Sequence, residues 1–400
     1  STAGMNTPMT VPMIVATPSS ASRVRAWGFV AIVLSLLPVG SAVAQPRGPV
    51  VVSPEIADRS VTFRVLAPKA DEVTLFSSDL PRELLTGEFA KDDEGVWSLT
   101  IENVPRGAYR YLFEIDGVRT VDPRHTETSE SNGNLWSLVR VPGAAFMDRA
   151  DVPHGSVTRV NYRSRVLDRD RRLHVYTPPG YESSSEKYPV FYLLHGAGDS
   201  DDAWTSVGRA HDILDNLIAA QKIVPMIVVM PNGHTGPFSW IQPVARDERS
   251  GNVGNASFEQ EFVEEIRPMI ETRYRVIDAP NRRAIAGLSM GGAQTLEILT
   301  RQPKDFAHVG VFSSGLIFGD PTVWEAKNQA MLDDAEVRAG IRLLWFGIGK
   351  EDFLLRQAKA TVELLERHEF EPTYVETDGG HTWSNWQRYL EQFAPQLFRD

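Results

Sequence analysis

The sequence predicts an α/β fold, a mostly parallel sheet covered by helices on both faces, preceded by a small all-β sandwich. Three observations carry that prediction. From residue 157 onward, short apolar runs alternate with amphipathic segments of helical period, the order of a parallel sheet with helical crossovers. From 53 to 141 the pattern is instead short runs of period two, broken by Gly, Pro and Asp, with no convincing helical period. Between the two, residues 142–153 begin and end on proline-containing turns and read as a linker.

Composition bounds what the chain can do. Its 400 residues are 42% hydrophobic and 23% charged, which describes a globular protein, and the length favours two domains. With no cysteine, disulfides, thiol nucleophiles and cysteine-ligated metals are excluded. A formal net charge of −11 disfavours nucleic acid and anionic membranes as partners. Residues 1–4, ahead of Met5, read as a cloning remnant. Arg23 and Arg25 then precede an apolar run over 26–39, and Ala42-Val43-Ala44 supplies a small-x-small cleavage site before Gln45. The run is shorter than the roughly 20 residues of a membrane span, so a cleaved signal peptide over 1–44 is expected. A secreted or periplasmic protein without stable membrane insertion follows.

In chain order, Val61-Thr62-Phe63-Arg64-Val65, Val73-Thr74-Leu75-Phe76, Val96-Trp97-Ser98-Leu99-Thr100-Ile101 and Tyr109-Arg110-Tyr111-Leu112-Phe113-Glu114-Ile115 are the strands of the sandwich at 53–141. In the second domain, 154–400, two polar-alternating strands near 157–166 and 172–177 lead into the apolar run at 188–194. Strands follow at 226–230, 284–287, 309–313, 343–346 and 373–376, with helices near 210–221, 258–274, 292–301, 354–368 and 385–397. Ligands of such sheets bind beyond the carboxyl ends of the strands.

The chemistry falls at that end. Gly287-Leu288-Ser289-Met290-Gly291 lies between the strand at 284–287 and the helix at 292–301. A Gly-x-Ser-x-Gly at a strand-to-helix turn is the nucleophile elbow of an α/β-hydrolase, its glycines letting strand and helix approach a strained serine. Serine needs a base, and in this fold the chain order is Ser, then Asp or Glu, then His. Three histidines follow Ser289. His308 comes too early to follow an acid loop, and His368 ends a helix on its polar side. His381, in the Gly-rich loop Asp378-Gly379-Gly380-His381-Thr382-Trp383, is the expected base. The acid should sit after the strand at 343–346, where Glu351 and Asp352 are both chemically able; Asp352, at the junction with the next helix, is preferred, and Asp378 is read as a turn former. Oxyanion donors are expected from the Met290 amide and from the loop Leu194-His195-Gly196-Ala197-Gly198, through Ala197 or its neighbour Gly196. His195 itself precedes the serine and reads as structural.

Weaker features have plainer readings. Asp199, Asp201 and Asp202 resemble a calcium cluster but lack the rest of a binding loop, so a solvated acidic loop is expected; no metal or cofactor is implied. Glu259, Glu261, Glu264 and Glu265 read as the wet face of a helix. Trp204, Phe238, Trp240 and Trp383 fall in loops at the site end, and two or more are expected to line the cleft. The irregular loop over 233–255 is expected to shape the acyl pocket.

With these residues in hand, the segment 157–398 resembles the feruloyl and acetyl-xylan esterases of carbohydrate esterase family 1, within the wider esterase D-like pattern. The matching pieces are Leu193-Leu194-His195-Gly196-Ala197-Gly198, Asp202 with Trp204, Pro231-Asn232-Gly233, the Ser289 elbow, Gly349-Lys350-Glu351-Asp352-Phe353-Leu354 and Gly380-His381-Thr382-Trp383. The front segment resembles family 48 carbohydrate-binding or early-set modules, through 61–68, Gly95-Val96-Trp97, Tyr109-Arg110-Tyr111 and Asp122-Pro123. The resemblance implies a serine esterase releasing hydroxycinnamate or acetate from plant cell-wall xylan, also active on small aryl esters. Trp204, Asn232, Trp240 and Trp383 would contact substrate. Enterobactin-type siderophore esterases and mycolyl-transferase-like proteins share the pattern. A carbohydrate-binding protein with a degenerate hydrolase domain is disfavoured, because the Ser, Asp and His motifs and the oxyanion loop are intact.

Overall fold

The computed structural model describes residues 48–236 and 255–399. The expected signal segment and its cleavage point lie outside the described residues, as do Phe238 and Trp240. No helix among the described residues is long and apolar enough to cross a membrane.

The first strands pack as two antiparallel sheets. One has the spatial order Glu55–Ala57, Ser60–Leu66, Val96–Ile101, Ala90–Lys91. The other runs Val73–Phe76, Gly107–Ile115, Asn134–Val141, Thr128–Ser131, with Val118–Thr120 paired onto Gly107–Ile115. Side chains alternate across a pleated strand, so Val61, Phe63 and Val65 all point inward, against Tyr109, Tyr111 and Phe113 of the facing sheet. Each such buried side chain stabilises by roughly 1.5–3 kcal/mol.

The remainder is an eight-stranded sheet: β1 (Ser156–Ser164), β2 (Arg169–Thr177), β3 (Val190–Leu194), β4 (Ile227–Pro231), β5 (Arg283–Leu288), β6 (His308–Phe312), β7 (Leu343–Gly349) and β8 (Thr373–Thr377). Their spatial order is β1-β2-β4-β3-β5-β6-β7-β8, antiparallel at the first two pairings and parallel from β4 onward. This is the α/β-hydrolase architecture expected from the sequence. Strands β3 to β6 are buried along their whole length, as a sheet covered on both faces requires. The covering helices are α1 (Ala210–Ala219), α2 (Asn255–Glu261), α3 (Arg267–Arg273), α4 (Met290–Arg301), α5 (Pro321–Leu332), α6 (Ala335–Gly340), α7 (Leu355–Arg367) and α8 (Trp383–Phe393). Between α2 and α3 the chain takes a π-helical turn, Phe262–Ile266. Periodicity gave no sign of α5 because it buries only Trp324 and Leu332; α5 and α6 are instead started by Asp320 and Asp334, which cap the amides of Thr322 and Glu336.

Residues 142–153 are packed rather than free. Ala144 and Met147 are buried in the same cluster as Tyr176, Phe191 and Leu193 of the large sheet, and Asn216 Nδ2 donates to the Asp148 carbonyl at 2.9 Å. Strand Gly107–Ile115 is buried on both faces, because its outward residues Ala108 and Arg110 meet the hydrolase side.

Candidate active site

Ser289 ends β5 and starts α4 with φ 50° and ψ −117°, a conformation few residues other than glycine adopt. The turn is tight enough to dictate its neighbours. A Cβ on Gly287 would lie 2.3 Å from the Gly291 carbonyl, and one on Gly291 would lie 2.5 Å from the His195 oxygen. The strained residue is held by its own backbone: its N–H donates to Phe312 O at 2.8 Å and its carbonyl accepts from Ser314 Oγ at 2.6 Å.

His381 and Asp352 come from the loops after β8 and β7. His381 Nε2 is 3.0 Å from Ser289 Oγ, and its Nδ1 is 2.9 and 3.0 Å from the two Asp352 oxygens. Asp352 Oδ1 also accepts the Leu354 amide at 2.9 Å. Burial alone would raise the Asp352 carboxyl, but the hydrogen bond and charge of His381, with that amide, hold it below the usual carboxylate range. Glu351 is exposed, so of the two neighbouring acids Asp352 is the one aimed at the imidazole. With Nδ1–H donated to Asp352, Nε2 is left to accept the serine proton.

Phe353 lies against the imidazole at 4.4 Å between ring centroids, while Trp386 meets it edge-on at 5.0 Å. Phe353 is nevertheless 67% exposed, an aromatic ring at the mouth of the site. Sequence reasoning passed over it; its one signal was an aromatic residue immediately after the acid.

The loop after β3 turns back on the nucleophile. Gly196 is so close that a Cβ there would stand 2.5 Å from the Leu288 side chain and 3.3 Å from Ser289 Cβ. Asp199 N–H closes a turn onto Gly196 O at 3.2 Å, with Gly198 at φ +81°, the left-handed third position that favours glycine. Ala197 is the second residue of that turn. Met290 opens α4, so its N–H lies outside the helical ladder. His195 is buried beneath, its Nδ1 donating to Gly196 O at 2.8 Å and its Nε2 accepting the Gly233 amide at 2.8 Å. Desolvation keeps it neutral, consistent with the structural part expected for it. His234 Nε2 accepts the Gly198 amide at 2.9 Å, and burial, with His195 and Arg171 nearby, pushes its pKa down to about 3.

Several expectations need correction. Trp204 and Trp383 do not line a cleft. They are 1% and 2% exposed, packed edge to face at 5.1 Å, and Trp204 Nε1 donates to Leu194 O at 3.0 Å. Their loops fold back under the site and become core. Asn232 is engaged internally, its Oδ1 accepting the His234 amide at 3.0 Å. It does line a cavity of about 890 Å³, together with Glu130, Asn132, Asn161, Arg172 and His234. Trp240 lies outside the described residues.

The acidic loop is not solvated. Asp199 pairs with Arg110 at 2.5 Å, Asp201 pairs with Arg172 at 2.9 Å, and Asp202 Oδ2 accepts the Glu130 amide at 2.8 Å. Nor are Glu259 and Glu261 a wet face. Both are buried, and Glu261 holds Arg171 at 3.0 Å and the Tyr162 hydroxyl at 2.8 Å. Glu265 accepts the hydroxyl of Ser164 at 2.6 Å. For Asp199, Asp201 and Glu261 the counter-charge that makes burial tolerable comes from arginines distant in sequence, Arg110 of the first domain and Arg172 and Arg171 of β2.

Compared with known families, residues 164–397 match the one described as "Putative esterase", and residues 48–129 match "Carbohydrate-binding module 48 (Isoamylase N-terminal domain)". The chain is similar to an "Endo-1,4-beta-xylanase/feruloyl esterase" of Xylanibacter ruminicola, 32% identical over 84% of this chain and 44% of that protein. It thus spans less than half of that relative's length. Among solved structures, a ferulic acid esterase superposes with a TM-score of 0.51 at 28% identity, covering 60% of this chain and 97% of that one. The enterobactin esterase of Shigella flexneri, solved with enterobactin, gives 0.59 at 19% identity over 85% and 92% of the two chains. At that identity the second likeness is one of fold.

Proposed function

Because this chain belongs to the esterase family, and is thereby a serine carboxylic ester hydrolase, we propose that it releases hydroxycinnamate from feruloylated plant cell-wall xylan. The observation that supports the mechanism is the hydrogen-bonded run from Ser289 Oγ through the His381 imidazole to Asp352. In the proposed reaction His381 Nε2 takes the Ser289 proton as Oγ attacks the ester carbonyl carbon. Asp352 stabilises the resulting imidazolium and keeps its ring oriented. Negative charge on the carbonyl oxygen is met by the amides of Met290 and Ala197. The imidazolium then protonates the leaving sugar oxygen, the C–O bond breaks, and an acyl-enzyme remains on Ser289. A water, deprotonated by the same nitrogen, attacks that acyl group. Collapse of the second tetrahedral species frees the acid and returns the proton to Oγ.

The substrate class is supported by the name of the 32%-identical relative, whose match runs through both parts of the chain. Action outside the cytoplasm, following the expected leader, fits a polymeric substrate. A siderophore ester is the second reading, favoured by the likeness of both parts to the enterobactin esterase. Ser289→Ala should keep the fold and abolish hydrolysis of p-nitrophenyl acetate. Turnover of methyl ferulate against a cyclic catecholate triester decides between the substrates. Retained hydrolysis in the serine variant would sink the mechanism, and preference for the catecholate would sink the xylan reading.

A further inference from the structure

The Ala197 amide belongs to the same rigid peptide plane as the Gly196 carbonyl, so whatever holds that carbonyl aims the N–H in the opposite direction. The Gly196 oxygen is held by two donors, His195 Nδ1 at 2.8 Å and the Asp199 amide at 3.2 Å. The Asp199 amide shares its own plane with the Gly198 carbonyl, and that oxygen accepts the Asn132 N–H at 2.9 Å. Two peptide planes therefore stand in series between Asn132 and Ala197.

Asn132 lies outside the hydrolase sheet altogether. With Gly133 it forms the two-residue turn between strands Thr128–Ser131 and Asn134–Val141 of the N-terminal domain. Its neighbours fasten this hairpin to the same loop. Ser131 makes an antiparallel bridge with Asp199, Glu130 N–H donates to Asp202 Oδ2 at 2.8 Å, and Ser200 Oγ donates to Glu130 O at 3.1 Å. The Asn132 side chain reaches further, donating through Nδ2 to Gly236 O at 3.0 Å.

We propose that Asn132 is a positioning residue for ester hydrolysis: its backbone N–H, acting through the 198–199 and 196–197 peptide planes, aims the Ala197 amide at the developing oxyanion. The N-terminal domain is then part of the active-site frame. Hydrogen bonds in series polarise one another, so the same run also makes Ala197 a better donor. The inference rests on the oxyanion part proposed above for Ala197.

Asn132→Pro is the test. Proline removes the N–H and suits the turn, since Gly133 has φ +87° and residue 132 is the second position, where proline is favoured. Its Cδ takes the hydrogen's place and displaces Gly198 O, 2.9 Å from the nitrogen, which breaks the run to Ala197. Asn132→Ala keeps the N–H and loses only the bond to Gly236. Removing an oxyanion donor outright costs about 10²–10³ in kcat, and misaiming one should cost about tenfold or more. Relative to Asn132→Ala, the proline variant is expected to lose that much kcat on p-nitrophenyl acetate with KM within about threefold. Its affinity for phenylboronic acid, which forms a tetrahedral adduct on Ser289, should fall in parallel. A purely structural role would lower the melting temperature without this split. If the proline variant does not unfold cooperatively, an α-hydroxy acid introduced at position 132 removes the N–H alone and is read the same way. Equal kcat and equal boronate affinity in the two variants would overturn the inference. If Ser289→Ala remains active, it is the mechanism itself that fails.

Discussion

Asp352→Asn tests the proposed relay where its geometry is most restrictive. Asp352 Oδ1 accepts the Leu354 amide at 2.9 Å, which requires an oxygen at that position. In the asparagine variant the carbonyl oxygen stays there and the NH₂ takes the place of Oδ2, the atom 2.9 Å from His381 Nδ1. An NH₂ can only donate, and at 2.9 Å it opposes an Nδ1–H even though Oδ1 stays 3.0 Å from the same nitrogen. The favoured tautomer therefore has Nδ1 accepting and the imidazole proton on Nε2, facing Ser289 Oγ at 3.0 Å. The base is then occupied by a proton, although nothing has moved. Loss of the correct tautomer costs about 10⁴ in kcat, equivalent to about 5.5 kcal/mol of transition-state stabilisation. Initial rates on p-nitrophenyl acetate give kcat and KM, and KM should change little. Glu351→Gln is the control: its side chain is exposed, and turnover should stay within about twofold of wild type. More than about 1% of wild-type kcat in Asp352→Asn, or a larger loss in Glu351→Gln, would refute the tautomer argument.

Three further predictions follow from the burial of charge and of aromatic surface. Arg110→Met leaves Asp79 and Asp199 buried without their shared cation and should destabilise by about 3–5 kcal/mol, read by urea denaturation; a loss under 1 kcal/mol would mean the carboxylates find water. Burial and the nearby Glu297 push the Glu259 carboxyl from 4.5 up to about 7, with Arg301 only partly offsetting them. The folded state therefore binds this proton more tightly, and its contribution is full below the unfolded value and lost as pH rises through about 7. Stability should fall by on the order of 3 kcal/mol across that window, and Glu259→Gln should flatten the slope; parallel melting curves at both ends of it would refute the assignment. Phe353→Ala removes the exposed ring beside His381 and is expected to raise KM for methyl ferulate several-fold more than KM for p-nitrophenyl acetate. Equal changes would mean the ring only packs on the imidazole.

The elements of the sheet and the chain order of the reactive residues were legible before any tertiary contact was known, because both are local. Period-two and helical patterns report which faces are buried, and the Ser289 elbow is written in glycines whose missing Cβ atoms the backbone needs. The same local reading fell short where burial depends on a partner far along the chain. Arg110 sits on the outward face of an alternating strand, and nothing local shows that Asp79 and Asp199, distant in sequence, enclose it. Asp201, Glu259 and Glu261 look like a wet loop and a wet helix face until β2 and α4 bring Arg172, Arg301 and Arg171 to them. Trp204 and Trp383, aromatic residues in loops, became core because those two loops meet each other beneath the site. Between Glu351 and Asp352, adjacent and alike in chemistry, the preference for Asp352 rested on its place at the helix junction alone; the fold buries it against His381 and leaves Glu351 exposed. A charge or a ring carries no mark of which distant segment will cover it, and that assignment is made only when the tertiary structure brings the segments together.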